Sequence, residues 1–138
     1  MSVIYFIFQQ TLLFTIPLLI VALGGMFSER SGVVNIALEG IMTMGAFTGV
    51  LFLNMTGGKM SGQFQLILAI VIAMATGGVF ALFHAYAAIN MKADQTISGT
   101  ALNMLSLGIS VYFCQIIFHQ QRTRAFQRGF VKMDIPVL

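Results

Sequence analysis

The sequence predicts an all-α fold, a polytopic bundle of about four transmembrane helices. Hydrophobic residues fill 58% of the 138 positions and charged residues only 8%, whereas a soluble domain carries about 25% charged residues. The charged residues are confined to short stretches, and the apolar segments between them approach the roughly 20 residues that cross a bilayer. We therefore expect one transmembrane domain over residues 1–138 with lipid around it.

Four apolar segments predict the membrane-spanning helices. The linkers between them are short and rich in glycine or charged residues, so they leave no room for a soluble domain. Pro17 lies inside the first segment, where a membrane bundle tolerates a kink. Residues 119–138 form a basic tail. The predicted helices cover residues 3–27, 35–54, 66–89 and 96–118.

Small residues recur on two of these segments at the spacing of a helix contact. In lipid, small residues let two helix backbones approach closely, and this packing drives association. Five occur at every fourth position of the third helix, and the second helix carries a GxxxG pair. We expect them to mediate helix packing; they are Ala69, Ala73, Gly77, Ala81 and Ala85 on the third helix, and Gly45 and Gly49 on the second.

Glu39 is the most informative polar residue, because a carboxylate inside a span costs about 3 kcal/mol on insertion scales. Asn35 and Thr43 lie four residues to either side and share its helical face. Two interpretations remain open. Glu39 lies near the membrane surface, neutralised by Arg30 or capping the start of a helix, or it forms a wall of a solute path.

A second polar stripe follows the fourth segment. Hydroxyls and an amide on one broad helical face suit a ligand rich in hydroxyls and ring nitrogens. They suit hydrogen bonds between helices equally well. The stripe consists of Thr96, Thr100, Asn103, Ser106 and Ser110. His84 on the third segment is interpreted as a structural polar group.

Motifs for catalysis and for phosphate binding are absent from the sequence. It contains no GxxxxGK[ST], HExxH or GxSxG pattern. One cysteine, Cys114, and two histidines cannot supply a metal cluster. We therefore expect no catalytic residue, no metal and no cofactor bound by this chain. The basic residues flank membrane segments, as in many membrane proteins, and do not indicate nucleic-acid binding.

Two blocks of the sequence resemble one family. Residues 22–47 read ALGGMFSERSGVVNIALEGIMTMGAF and residues 92–107 read KADQTISGTALNMLSL. Both are similar to segments of the permease subunits of ABC-type importers for nucleosides and simple sugars, which work with basic-membrane-lipoprotein-type binding proteins. The first block looks closer to the nucleoside branch.

The resemblance implies a multi-pass permease of the bacterial inner membrane. It would pair with a related second permease, recruit cytoplasmic ATP-binding subunits that use ATP, and receive solute from an extracytoplasmic binding lipoprotein. Members are roughly twice as long, and their cytoplasmic coupling loop has no counterpart here. We therefore expect a truncated, split or partial chain that cannot couple ATP hydrolysis to movement by itself.

The resemblance also suggests roles for individual residues. Those inside the two blocks are expected to line the substrate path: Asn35, Glu39, Gln95, Ser98, Thr100 and Asn103. The positive-inside rule would place the basic tail in the cytoplasm, whereas the family topology places it outside, and we adopt the family orientation. The tail arginines are then expected to dock the binding protein: Arg122, Arg124 and Arg128.

Two other functions remain open at this point. One is a small membrane scaffold or regulator that moves no solute. The other is a proton-coupled carrier that uses Glu39 and His84, although no second intramembrane acid lies at a helical spacing from the histidine.

Overall fold

Four α-helices make up almost all of the residues that the computed structural model describes, 2–57 and 62–123. These residues contain no strand, and each helix is long and apolar enough to cross a membrane. The predicted all-α fold class is therefore confirmed. The helices are α1 (Ser2–Arg30), α2 (Leu38–Thr56), α3 (Gly62–Ile89) and α4 (Gln95–Phe118).

Among the differences from the sequence-based bounds, the start of α2 matters most for the polar residues. The helix begins at Leu38 rather than at Asn35, and residues 31–37 form turns and irregular backbone. The Asn35 side chain accepts a hydrogen bond from the Ala37 N–H at 3.1 Å. Such a local bond competes with helix formation. We call residues 31–37 the connecting segment.

Helices α2 and α3 pack through small residues. A β-carbon added at Gly45 would lie 3.1 Å from the Ala73 carbonyl oxygen, and one added at Gly49 would lie 3.4 Å from that of Ala69. On α3, Gly77 faces Ile41. Ala81 lines, together with Gly45, Ala73 and Gly77, a groove that reaches Ile20 of α1, and its packing role stays a prediction.

Two hydrogen bonds link α2 to α3, one near the middle of the interface and one at the C-terminal end of α2. Thr48 Oγ1 lies 3.0 Å from Thr76 Oγ1. The Gln65 side chain, only 2% exposed, donates to the Leu53 carbonyl at 3.2 Å. That carbonyl belongs to the last turn of α2, whose oxygens have no partner within the helix. Gln65 thus caps α2 from the neighbouring helix.

Helix α4 packs on α2 around a small apolar cluster. Phe47 of α2 meets Cys114 and Phe118 of α4, and Leu51 packs against the group. Asp94 caps the start of α4 by accepting from the Thr96 and Ile97 N–H groups at 2.8 and 3.0 Å. The cluster and the cap fix where α4 lies beside α2.

Helix α1 is the most weakly attached element of the described chain. None of its described side chains is buried. Its contact with α2 is close near its C-terminal end, where a β-carbon at Gly25 would lie 2.9 Å from Leu38 Cδ1. The fold that positions the polar residues is therefore the three-helix unit of α2, α3 and α4.

Candidate solute path

Side chains from α3 and α4 hold the connecting segment inside the bundle. The Val34 N–H donates to Gln95 Oε1 at 2.8 Å, and Asn103 Nδ2 donates to the Ile36 carbonyl at 2.9 Å. In a membrane, irregular backbone is tolerated only where protein or water satisfies its polar groups. These two side chains supply partners that a helix would otherwise provide.

Asn103 also caps the start of α2. Its Oδ1 accepts from the Gly40 N–H at 2.7 Å, one of the first-turn amides that lack a partner within the helix. One amide side chain of α4 therefore binds a carbonyl of the connecting segment and an N–H of α2. Both of its polar atoms are occupied within the chain.

Two glycines allow this close approach. A β-carbon at Gly40 would lie 2.7 Å from Ser106 Oγ and 3.0 Å from Asn103 Cα. One at Gly99 would lie 2.9 Å from Ile36 Cβ. Gly40 belongs to the first family-like block and Gly99 to the second, so the two blocks form one structural unit.

His84 completes this unit from α3, where it is 2% exposed. Its Nε2 lies 3.3 Å from the Val34 carbonyl oxygen and its Nδ1 lies 3.3 Å from Ser98 Oγ. A carbonyl oxygen can only accept, so Nε2 carries the proton; in a neutral imidazole, Nδ1 then accepts from the Ser98 hydroxyl. This arrangement agrees with the structural interpretation of His84.

The bond between Asn103 and Gly40 sets the depth at which α2 begins. Asn103 follows Asp94 by nine residues of α4, which is about 13 Å along the helix axis. Exposed charges at Lys92 and Asp94 are typical of a membrane interface. Glu39, in the first turn of α2, therefore lies beside this part of α4, and its two interpretations stay predictions.

Glu39 and Thr100 are the predicted path residues that stay exposed. Glu39 shares a side of α2 with Thr43, which differs from the side where Gly45 and Gly49 meet α3. On α2, Ala46 and Val50 continue the side that carries Glu39. On α4, Leu107 and Val111 continue the side that carries Thr100. We call this surface the α2–α4 face: Glu39, Thr43, Ala46, Val50, Thr100, Leu107 and Val111.

The other predicted path residues are used within the chain. Gln95, Ser98 and Asn103 bond to the connecting segment or to His84, and Asn35 bonds to the segment's own backbone. Of the predicted docking residues, Arg122 is exposed beyond α4, whereas Arg124 and Arg128 lie outside the described residues. Their docking role stays a prediction.

Metal chemistry has no candidate ligands in the described part of the chain. Within residues 2–57 and 62–123, no three His, Cys, Asp or Glu side chains come together in a group that could hold an ion. The polar groups found here donate and accept hydrogen bonds. Such an arrangement can position backbone and contact a polar solute.

Four helices long and apolar enough to cross a membrane define a multi-pass membrane protein. Residues 7–134 match the family described as the branched-chain amino acid transport system permease component, and the chain belongs to this family. No solved structure matches the chain.

Three relatives are more specific than the family description. The chain is 47% identical over 137 residues to the guanosine ABC transporter permease protein NupQ of Bacillus subtilis (strain 168), covering 99% of the chain and 43% of the relative. It is 38% identical to the nucleoside ABC transporter permease protein NupC of Lactococcus lactis subsp. cremoris, covering 96% and 41%. It is 32% identical to the putative glucose ABC transporter permease protein TsgC13 of Haloferax volcanii, covering 88% and 33%.

These relatives confirm the resemblance to permeases of nucleoside importers. The chain spans less than half the length of each of the three. What the structure adds is the arrangement of the two family-like blocks, which meet where the connecting segment crosses α3 and α4.

Proposed function

We propose that this chain is a permease component of an ATP-driven nucleoside importer and that its α2–α4 face lines part of the solute path. The names of two relatives, a guanosine and a nucleoside permease, support the substrate class. The place of Glu39 in the first turn of α2, next to the Gly40 N–H that Asn103 binds, carries the assignment of the face. A carboxylate within a membrane span is costly in lipid and normally faces protein or water.

The polar residues divide into two roles under this proposal. Gln95, Ser98 and Asn103 hold the connecting segment, so that α2 begins inside the membrane. Glu39 and Thr100 contact the passing solute. A carboxylate accepts hydrogen bonds from hydroxyls and ring N–H groups, both of which a nucleoside carries.

The remaining parts of the transporter are also proposed. Cytoplasmic ATP-binding subunits hydrolyse ATP, a related second permease completes the path, and an extracytoplasmic lipoprotein delivers the nucleoside. The chain itself performs no catalysis and binds no cofactor. Its location is the bacterial cell membrane, as expected for the counterpart of the Bacillus and Lactococcus permeases.

Uptake of labelled nucleoside by the assembled transporter containing this chain tests the proposal. We expect Glu39→Gln to lower uptake about tenfold, because a hydrogen bond to a charged acceptor is lost. Glu29→Gln is the matched control, since Glu29 is exposed in the last turn of α1. It should leave uptake close to that of the wild type.

The energy source separates this function from its alternatives. Uptake should stop when the ATP-binding subunit is inactivated and persist when the proton gradient is collapsed. Uptake that follows the proton gradient would instead identify a proton-coupled carrier. A complex that forms but moves no nucleoside would identify a scaffold.

A further inference from the structure

A cavity opens between α2 and α4 beyond the polar end of the α2–α4 face. Its volume is about 270 Å³. Small-molecule sites start at about this size, and most are apolar with a few placed polar groups. The lining residues used below are Val50, Leu107, Ser110, Val111, Cys114 and Gln121.

Helical spacing places this cavity on the same surface as the exposed carboxylate of Glu39. Val50 follows Glu39 by eleven residues, and Val111 follows Thr100 by eleven, which is close to three turns in each helix. Each pair therefore shares one side of its helix. Under the proposed function this surface lines the solute path and faces water rather than lipid, so a solute rather than an acyl chain is the fitting occupant.

The walls of the cavity suit a flat, weakly polar ring. Val50, Leu107 and Val111 present aliphatic side chains. The Ser110 hydroxyl donates to the Ser106 carbonyl at 2.8 Å, so its oxygen is left to accept from a ring N–H or amino group.

Gln121 supplies polar atoms at the rim of the same cavity, on the exposed backbone beyond α4. Its amide can both donate and accept. A sugar, with hydroxyls around its ring, would leave most of them without a partner against the aliphatic walls.

We propose that this cavity is the subsite for the heterocyclic base of the transported nucleoside. The proposal rests on the proposed function and adds to it the place where the base is recognised. The ribose then lies toward Thr43 and Thr100, whose hydroxyls match its own.

Filling the cavity tests the assignment. Val50→Phe in the assembled transporter is expected to lower nucleoside uptake about tenfold or more, since pocket volume discriminates ligands by such factors. Val71→Phe is the matched control, because Val71 is exposed on α3 outside the cavity. It should retain uptake within about twofold, as expected for a surface site.

Enlarging the cavity gives a test that does not depend on tolerance of a larger side chain. Val50→Ala is expected to raise the uptake of a nucleoside with a bulkier base, ethenoadenosine, relative to adenosine. A ratio unchanged from that of the wild type would contradict the subsite.

A thiol introduced by Val111→Cys in a Cys114→Ala background provides a probe, since Val111 lies in the cavity wall and is half-buried, whereas Cys114 is buried. Its modification by a small methanethiosulfonate reagent is followed by mass spectrometry of this chain. Adenosine should slow the modification, whereas ribose at the same concentration should not. Equal slowing by both, or by neither, would overturn the assignment of the base.

The results distinguish this proposal from the function on which it rests. A wild-type transporter that takes up no nucleoside would refute the proposed function. A transporter that takes up nucleoside, but in which Val50→Phe behaves like Val71→Phe and adenosine does not protect the thiol of the Val111→Cys variant, would refute the base subsite alone.

Discussion

Asn103 shows at the scale of single residues what spacing alone cannot decide. Its place in a stripe of polar side chains is equally compatible with contact to a solute and with a hydrogen bond to a neighbouring helix. The structure uses both of its polar atoms within the chain, whereas Thr100, three residues earlier, is exposed. The roles of Asn103 and Thr100 differ because the connecting segment lies beside Asn103. The sequence pattern of α4 alone does not predict where that segment lies.

Asn103→Leu is expected to destabilise the protein by about 2 kcal/mol, because the Gly40 N–H and the Ile36 carbonyl lose their partner. Thermal unfolding in detergent measures the effect. Asn90→Leu, at an exposed residue beyond α3, should change the stability little. Equal losses for both variants would show that the two Asn103 bonds contribute nothing.

Gly40→Ala is expected to destabilise by about 1–3 kcal/mol through overpacking. The added carbon would lie 3.0 Å from Asn103 Cα, a backbone atom that cannot rotate away. Gly108→Ala meets nothing within 4 Å and should stabilise by about 0.5–1 kcal/mol, the usual gain in a helix. Unfolding curves that shift in the same direction for both would contradict the close contact.

At the scale of elements, the start of α2 depends on contacts that its own sequence pattern does not contain. Its apolar pattern extends back to Asn35, but the Asn35 side chain and three partners from α3 and α4 keep residues 31–37 irregular. The helix is capped at both ends by its neighbours, Asn103 at the start and Gln65 at the end. Such caps come from distant residues, and sequence rules for helix ends consider only near ones.

The packing of α2 on α3 follows much more directly from the sequence. In lipid, a GxxxG pair and a stripe of small residues predict close helix packing even when the partner helix is not known. The structure places Gly45 and Gly49 against Ala73 and Ala69. The packing role of Ala81 and Ala85, farther along the same stripe, stays a prediction.

Gly45→Leu is expected to separate α2 from α3 and to lower the unfolding free energy by about 2–3 kcal/mol. The Ala73 carbonyl, 3.1 Å from the position of the added carbon, belongs to a helix backbone. Gly78→Leu has open space around it and should be tolerated. Detergent-solubilised protein that melts alike for both variants would mean that the interface is not tightly packed.

At the scale of the whole molecule, hydropathy and charge placement predicted the four-helix membrane fold because lipid imposes one simple condition on every span. The direction in which each polar residue points could not be predicted in the same way. It depends on where α2 begins beside α4, which follows from contacts between two distant blocks. Glu39 stands out in the sequence as a carboxylate in an apolar segment, and its two interpretations stay predictions.

Thiol accessibility at Glu39 and Thr100 tests most directly whether the α2–α4 face is a solute path. In a Cys114→Ala background of the assembled transporter, a charged, membrane-impermeant thiol reagent should modify Glu39→Cys and Thr100→Cys. It should modify Leu82→Cys, on an exposed apolar part of α3, about tenfold more slowly, because thiolates form readily only in water. Modification of all three at the slow rate would place the face in lipid and contradict the account.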